Sequence, residues 1–300
     1  MKHILTTLCL ILISVMGFAS ISENAGTYGY KFLNVPCGPV ALSLAGRGVF
    51  SMDNSSAFIL QPAVSCMNNQ RLLSITHNLW LADTQANMIA YSYAQRKSHL
   101  GIVMRNLDYG EIENRDDTGL LIGNYHPLDI DLAANYAHRL TPSFFGGVNM
   151  GIFYQKLNTA SSLALHTDIG ICYLPPLNDA QLSLAVRNLG VANYTDEERV
   201  KLPTCFELDA NKGFTIAEQH ISVGGSAIQT LDEDLKGNVN LECRLFQMLS
   251  LRGGYLFGYD AQDFSAGFGV NYKNISVDYG YGAFNSELND VHSLGITYKF

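Results

Sequence analysis

Eight ionisable side chains, Arg105, Asp129, Asp131, His166, Asp168, Arg187, Arg252 and Asp278, occupy positions in this 300-residue chain where the residues on either side are mostly apolar. A spacing of two places His166 and Asp168 on one face of an extended strand, as it does Asp129 and Asp131. Two kinds of chemistry could follow. A His–Asp pair is part of a hydrolytic triad, but a triad also needs a nucleophile beside it, and no Gly-x-Ser-x-Gly elbow occurs in the sequence. The other is pairing. Charges of both signs enclosed on one face require partners to be tolerated, and they can also pin an inner segment or line a path. Pairing is therefore the expected use, with no catalytic residue and no enzyme activity. His-Glu-x-x-His and Cys-x-x-Cys spacings are absent, and the acidic stretches EIENRDD, TDEER and LDEDL read as solvated loops. Beyond the leader, cysteines stand at 37, 66, 172, 205 and 243, an odd and scattered set that specifies neither a disulfide framework nor a metal site. No cofactor is expected. The sequons at Asn54, Asn193 and Asn274 are short enough to arise by chance.

The elements that must position those side chains are strands. From residue 71 onward, segments of roughly ten residues alternate apolar and polar positions between turn residues. They cover 71 to 80, 86 to 95, 99 to 109, 125 to 138, 144 to 155, 163 to 174, 180 to 188, 203 to 211, 219 to 228, 236 to 245, 249 to 258, 263 to 272, 274 to 283 and 289 to 300. In the fourth, Leu128, Ile130, Leu132, Ala134 and Tyr136 oppose Asp129, Asp131, Ala133 and Asn135. In the last, Leu294, Ile296, Tyr298 and Phe300 oppose Ser293, Gly295, Thr297 and Lys299. A soluble sandwich would carry long charged side chains on its polar faces, whereas here those faces are mostly Gly, Ser, Ala and Asn. Small polar residues suit a confined, hydrated interior, and an aromatic-rich apolar face suits lipid. Strands spanning a bilayer need about 9 to 11 tilted residues, which these segments supply. Lipid offers no partner to an open sheet edge, so an all-β closed barrel of about fourteen antiparallel strands is expected over 71–300.

Composition agrees. Hydrophobic residues make up 47 % and charged residues only 15 %, while 16 Tyr, 15 Phe and 27 Gly favour strands; the net charge of −8 argues against nucleic acid as a partner. The opening MKHILTTLCLILISVMGFAS has Lys2, an apolar run and a small-x-small exit, and reads as a signal peptide over 1–19. Export followed by barrel insertion places the protein in a bacterial outer membrane, in contact with its lipid. Connections alternate in length as a barrel with both termini on the periplasmic side requires, with KGFTIAEQ between the eighth and ninth strands longer than the pattern predicts. Residues 23–70 are punctuated by Gly and Pro and do not alternate. They are expected to form a hatch inside the barrel, with a helix-like patch at 41 to 45, and Phe32, Leu33, Phe58 and Ile59 either bound an apolar pocket or pack on the wall.

The segments YKFLNVPCGPVALSLAGRGVF, DNSSAFILQPA and LLSITHNLWLADTQANMIAYSY, with YGEIENRDDTG and the closing strands FSAGFGVNYKNISVDYGYG and HSLGITYKF, resemble the PorV/PorQ outer-membrane proteins associated with type IX secretion, which are in turn similar to FadL-type barrels. One departure is local: Gln61, Pro62, Ala63 and Val64 stand where the family commonly has Asn-Pro-Ala-Gly. The resemblance implies a fourteen-stranded barrel with a hatch, acting in secretion or surface assembly of other proteins, with secretion-system subunits and cargo as partners. The alternative it implies is passive transport of hydrophobic small molecules. The terminal Phe300 resembles the signal read by the barrel assembly machinery.

Overall fold

The structure is a computed structural model that describes residues 27–36, 38–47, 55–195, 198–285 and 288–300. The expected signal peptide, Cys37 and Asn54 lie outside the described residues. Strands β1 (Leu72–Leu79), β2 (Gln85–Ala94), β3 (Ser98–Asp108), β6 (Leu128–Arg139), β7 (Phe144–Lys156), β8 (Ser161–Tyr173) and β9 (Ala180–Ala192) make one half of the wall. The other half is β12 (Cys205–Ile216), β13 (Gln219–Thr230), β14 (Lys236–Leu245), β15 (Leu249–Phe257), β16 (Gln262–Tyr272), β17 (Ile275–Phe284) and β18 (Val291–Lys299). These fourteen strands form a closed antiparallel barrel. It closes where β1 meets β18, in register from Leu72 opposite Lys299 to Leu79 opposite His292. Two further hairpins, β4 (Ile112–Arg115) with β5 (Leu121–Tyr125) and β10 (Tyr194–Thr195) with β11 (Glu198–Arg199), sit in the two longest connections.

Alternation decides which way each side chain points. On β6 and β7 the outward Leu132 and Ile152 are 47 % and 48 % exposed, while the inward Ala133 and Phe153 are 7 % and 0 % exposed. The same contrast runs around the wall and leaves a continuous apolar outer surface, which water would not tolerate and acyl chains would. No helix among the described residues is long and apolar enough to cross a membrane.

Both termini of the wall, Leu72 and Lys299, lie at one end, called here the terminal end; the long connections lie at the opposite, loop end. One expectation is corrected. KGFTIAEQ is not a long connection: β12 continues to Ile216 and β13 begins at Gln219, leaving only Ala217 and Glu218 between them, at φ 49° and 64°. Gly213, Phe214, Thr215 and Ile216 keep the two-residue period, and the turn residues take the left-handed conformation that matches the twist of a tight hairpin. The turns of two or three residues thus all fall at the terminal end, while the connections 157–160 and 258–261 at the loop end have four residues each.

Residues 27–70, where described, run inside the wall. The one-turn helix Pro39–Ser43 packs on β15 to β18, and the 3₁₀ turn Val64–Met67 packs on β2, β3, β6 and β7. Glycine permits this close approach at two places in particular. A Cβ on Gly280 would lie 2.5 Å from the Pro39 carbonyl oxygen, and one on Gly147 would lie 2.3 Å from that of Pro62. An apolar cluster joins the two layers: Tyr30, Phe32, Leu33 and Phe58 of the inner segment are buried against Met88, Val103, Leu107 and Phe153 of the wall. The Tyr30 ring meets Phe153 edge-on at 5.4 Å between centroids.

Candidate functional site

The interior has an apolar cluster toward the loop end, Phe153 facing Asp131 and Met88 facing Arg105 in the strand register, and two polar belts. The first belt lies toward the loop end on β3, β6, β8, β9 and β12. There Arg105 donates through Nε and Nη2 to Asp131 Oδ2 at 2.9 and 2.7 Å, and His166 Nε2 donates to Asp131 Oδ1 at 2.8 Å. The Arg105 guanidinium also stands 5.5 Å over the Phe32 ring, linking the belt to the inner segment. Asp129 accepts from the Tyr109 hydroxyl at 2.9 Å and from Gln155 Nε2 at 3.0 Å. Further round, Arg187 Nε donates to Glu207 Oε1 at 2.9 Å and its Nη1 to the Ile59 carbonyl at 3.2 Å. Arg47 of the inner segment pairs with the same Glu207 oxygen. The second belt lies toward the terminal end of the opposite wall, where Arg252 bridges Glu242 (2.7 Å) and Asp278 (2.6 Å) and Arg244 reaches Glu242 at 3.2 Å.

All eight side chains singled out from the sequence are buried on the inward face. The structure brings Arg105, Asp131 and His166 into one network, joins Arg252 to Asp278, and places Arg187 on Glu207. It does not join His166 to Asp168. Asp168 instead accepts from Asn149 Nδ2 at 2.9 Å and from the Asn188 backbone N–H at 2.8 Å. That last bond occupies an irregularity in the ladder: Thr167 faces Leu189 and Ile169 faces Val186, so Arg187 and Asn188 together oppose Asp168, with Asn188 at φ 58°. A carboxylate there supplies the acceptor that the ladder omits. Neither residue of the pair has a serine nucleophile among the partners described, and no group of three or more His, Cys, Asp or Glu among the described residues could hold a metal ion.

Several residues that do comparable work are not among those eight. Glu207 and Glu242 alternate with Phe206, Leu208, Leu241 and Cys243, so the two-residue period already assigns them inward. Asn135 and Asn149 follow the same rule and hold the inner segment by its carbonyls, Asn135 Nδ2 on Pro62 at 3.1 Å and Asn149 Nδ2 on Phe58 at 2.8 Å. Arg47 carries no such signal, because its segment has no period. Gln61, which stands where the resembled family has Asn, is fully buried and donates to the Leu184 carbonyl at 3.0 Å while accepting from the Ala63 N–H at 3.2 Å. The longer side chain thus fastens the inner segment to the wall directly. Phe300 is exposed beside the seam, its N–H bonded to the Arg71 carbonyl at 3.0 Å and its ring edge-on to Tyr298 and Tyr91.

At the loop end the inner segment is tied to the rim. Gly29 N–H donates to the Lys201 carbonyl at 3.0 Å, and Lys31 reaches Glu233 at 2.8 Å as well as Asp232.

A closed antiparallel fourteen-strand barrel is what the comparison with solved structures matches. A Pseudomonas aeruginosa FadL homologue aligns over 88 % of this chain and 98 % of its own, with a TM-score of 0.60 at 10 % identity. The monoaromatic hydrocarbon channel CymD aligns over 88 % and 97 %, with a TM-score of 0.63 at 10 % identity. The Pseudomonas putida toluene transporter TodX aligns over 82 % and 93 %, with a TM-score of 0.58 at 8 % identity. The fold is that of the FadL-like outer-membrane barrels. The protein accordingly resides in the outer membrane, with its apolar outer face in lipid. No protein-family model and no curated protein matches the sequence, so the finer PorV/PorQ resemblance is not shown by the comparisons.

Proposed function

We propose that this barrel passes hydrophobic small molecules across the outer membrane, without catalysis, and that the segment within 23–70 is the hatch that controls the route. The observation that carries the reading is the apolar cluster. Phe32, Leu33 and Phe58 of the inner segment cover Met88, Val103 and Phe153 of the wall, so displacing the segment exposes an apolar surface inside the lumen. An apolar solute can replace those side chains with little change in buried area. CymD and TodX, described as a monoaromatic hydrocarbon channel and a toluene transporter, support this ordering by sharing the fold. On this proposal the transport alternative stands ahead of the secretion role that the PorV/PorQ resemblance puts first.

Uptake tests both. Cells lacking the gene are expected to accumulate labelled toluene or a long-chain fatty acid more slowly, with restoration by the wild-type chain. Normal uptake, together with surface proteins retained unprocessed in the periplasm, would return the secretion reading to first place.

A further inference from the structure

The terminal end differs in charge from one side of the barrel to the other. On the side that runs from β16 through β17, β18, β1, β2 and β3 to β6, the strand ends and turns carry Arg71, Arg96, Lys97, Arg139, Lys273 and Lys299. No Asp or Glu stands in the stretches 66–72, 92–99, 137–146, 270–277 and 296–300 that make up this arc. The acids of the terminal turns, Asp179 and Glu218, fall on the other side. The loop end has the opposite character, with Asp116, Asp117, Asp232, Glu233, Asp234 and Asp290 in its connections, and there Lys31, Arg115 and Lys236 pair with carboxylates. In the arc, Arg71, Arg96, Lys97, Arg139 and Lys273 are exposed, and none of these five forms an ion pair with a described residue.

The direction in which the arc faces selects its partner. Arg71 Cζ lies 4.5 Å from the centroid of the Tyr93 ring, and Lys273 Nζ lies 5.3 Å from that of Tyr272. Both tyrosines hold outward positions, in line with Ile89 and Tyr91 on β2 and with Phe268 and Val270 on β16, so these two cations stand over rings that face lipid. Tyr298 and Phe300, also on the outer surface, lie between them at the seam. Arg139, at the margin of the arc, instead leans over inward Phe145. Aromatic residues at strand ends mark the bilayer interface, and Lys and Arg placed there rest their stems on apolar surface and hold their charge at headgroup depth. A soluble acidic partner would not need the cations to stand on lipid-facing rings. Clustered like charges repel one another, and a phosphate among them offsets that cost, whereas a zwitterionic headgroup brings a cation of its own. We propose that this arc binds the headgroups of anionic phospholipids in the periplasmic leaflet and holds them against the seam between β18 and β1. The surface is continuous with the lipid-facing wall and independent of what passes through the lumen.

Spin-labelled lipids test it. The purified full chain is reconstituted in phosphatidylcholine vesicles, and its relative association with spin-labelled phosphatidylglycerol and phosphatidylethanolamine is read by electron paramagnetic resonance. Wild type is expected to favour phosphatidylglycerol by about fivefold, the preference that one basic side chain near a charged surface supplies. That preference should collapse in about 1 M salt, where the Debye length falls to about 3 Å. The variant Arg71→Gln/Arg96→Gln/Lys97→Gln/Lys273→Gln should bring the ratio close to unity, while Lys156→Gln/Lys201→Gln, which removes exposed cations at the loop end, should leave it unchanged. All these side chains are exposed, so the heat-modifiable band on a gel is expected to persist. If the fourfold variant loses that band, Arg71→Gln/Lys273→Gln decides the question, with the ratio expected to fall by about half. Equal association of the two lipids with wild type would overturn the proposal and leave the arc to a soluble acidic partner. A wild-type ratio in the folded variants would overturn it as well.

Discussion

His166 reaches Asp131 at 2.8 Å although strand β7 runs between the strands that carry them. The contact is possible because Gly151 stands at the crossing: it faces Ala133 on one side and His166 on the other, and a Cβ placed on it would lie 2.1 Å from His166 Nε2. A missing side chain on the middle strand is thus what lets two outer strands share a buried hydrogen bond. Arg105 takes the other carboxylate oxygen from β3, so three strands besides β7 are held by one acid.

Gly151→Val should push the imidazole off the carboxylate and leave both groups buried without each other. Losing a buried charge-assisted hydrogen bond costs about 1.5–3 kcal/mol. The expected result is a lower denaturant midpoint for the heat-modifiable band, and a second substitution, His166→Leu, should recover part of the loss by removing the displaced ring. An unchanged midpoint would show that the contact contributes nothing.

Glu207 carries two arginines, Arg47 from the inner segment and Arg187 from β9, and all three side chains are nearly inaccessible. Glu207→Ala should therefore be severe, about 3–5 kcal/mol, since it strands two cations. Arg47→Met combined with Glu207→Gln should cost less than the sum of the single changes. Protease digestion of the folded barrel reads the same tether: Arg47→Met should make the inner segment cleavable faster, whereas a substitution at outward-facing Ile296 should not.

The link between the inner segment and the loop end should depend on pH. Burial pushes the Glu233 carboxyl up, but hydrogen bonds and charge from Lys236 and Lys31 outweigh it and hold Glu233 below its usual range. A depressed carboxylate contributes stability that is present above its ordinary pKa, about 4.3, and lost as pH falls through the lower folded value. Cleavage near Lys31 is expected to be flat from pH 8 to about 5 and to accelerate below about 4. Glu233→Gln should remove most of that acid step; persistence of the full step would assign it to another group.

Removing Phe300 should lower the amount of folded barrel in the outer membrane without altering the stability of the fraction that assembles, if the terminal aromatic serves recognition by the assembly machinery. Its ring lies on the outer surface beside Tyr298 and Tyr91, and only its N–H bonds across the seam, to Arg71. Phe300→Tyr should restore the yield. Equal yields for the deletion and the wild type would leave the residue a surface aromatic and nothing more.

The sequence by itself determined the wall: the two-residue period sorts Leu132 from Asp131 and Phe268 from Gly269 without reference to any other strand, because a strand's alternation is local and lipid makes one face uniformly apolar. The same period assigns Glu207 and Glu242 inward, although neither was among the eight singled out, and it faltered at strand ends, as at Tyr125, which belongs to β5, and at the left-handed turn of Ala217 and Glu218, whose residue types do not announce it. What the tertiary structure decided is which inward groups meet. Asp131 takes Arg105 through strand register but His166 through a glycine gap one strand away, and Glu207 takes Arg47 from a segment with no period at all. Those choices depend on how the strands are staggered as the barrel closes and on the path of the chain within it. A period within one strand records neither.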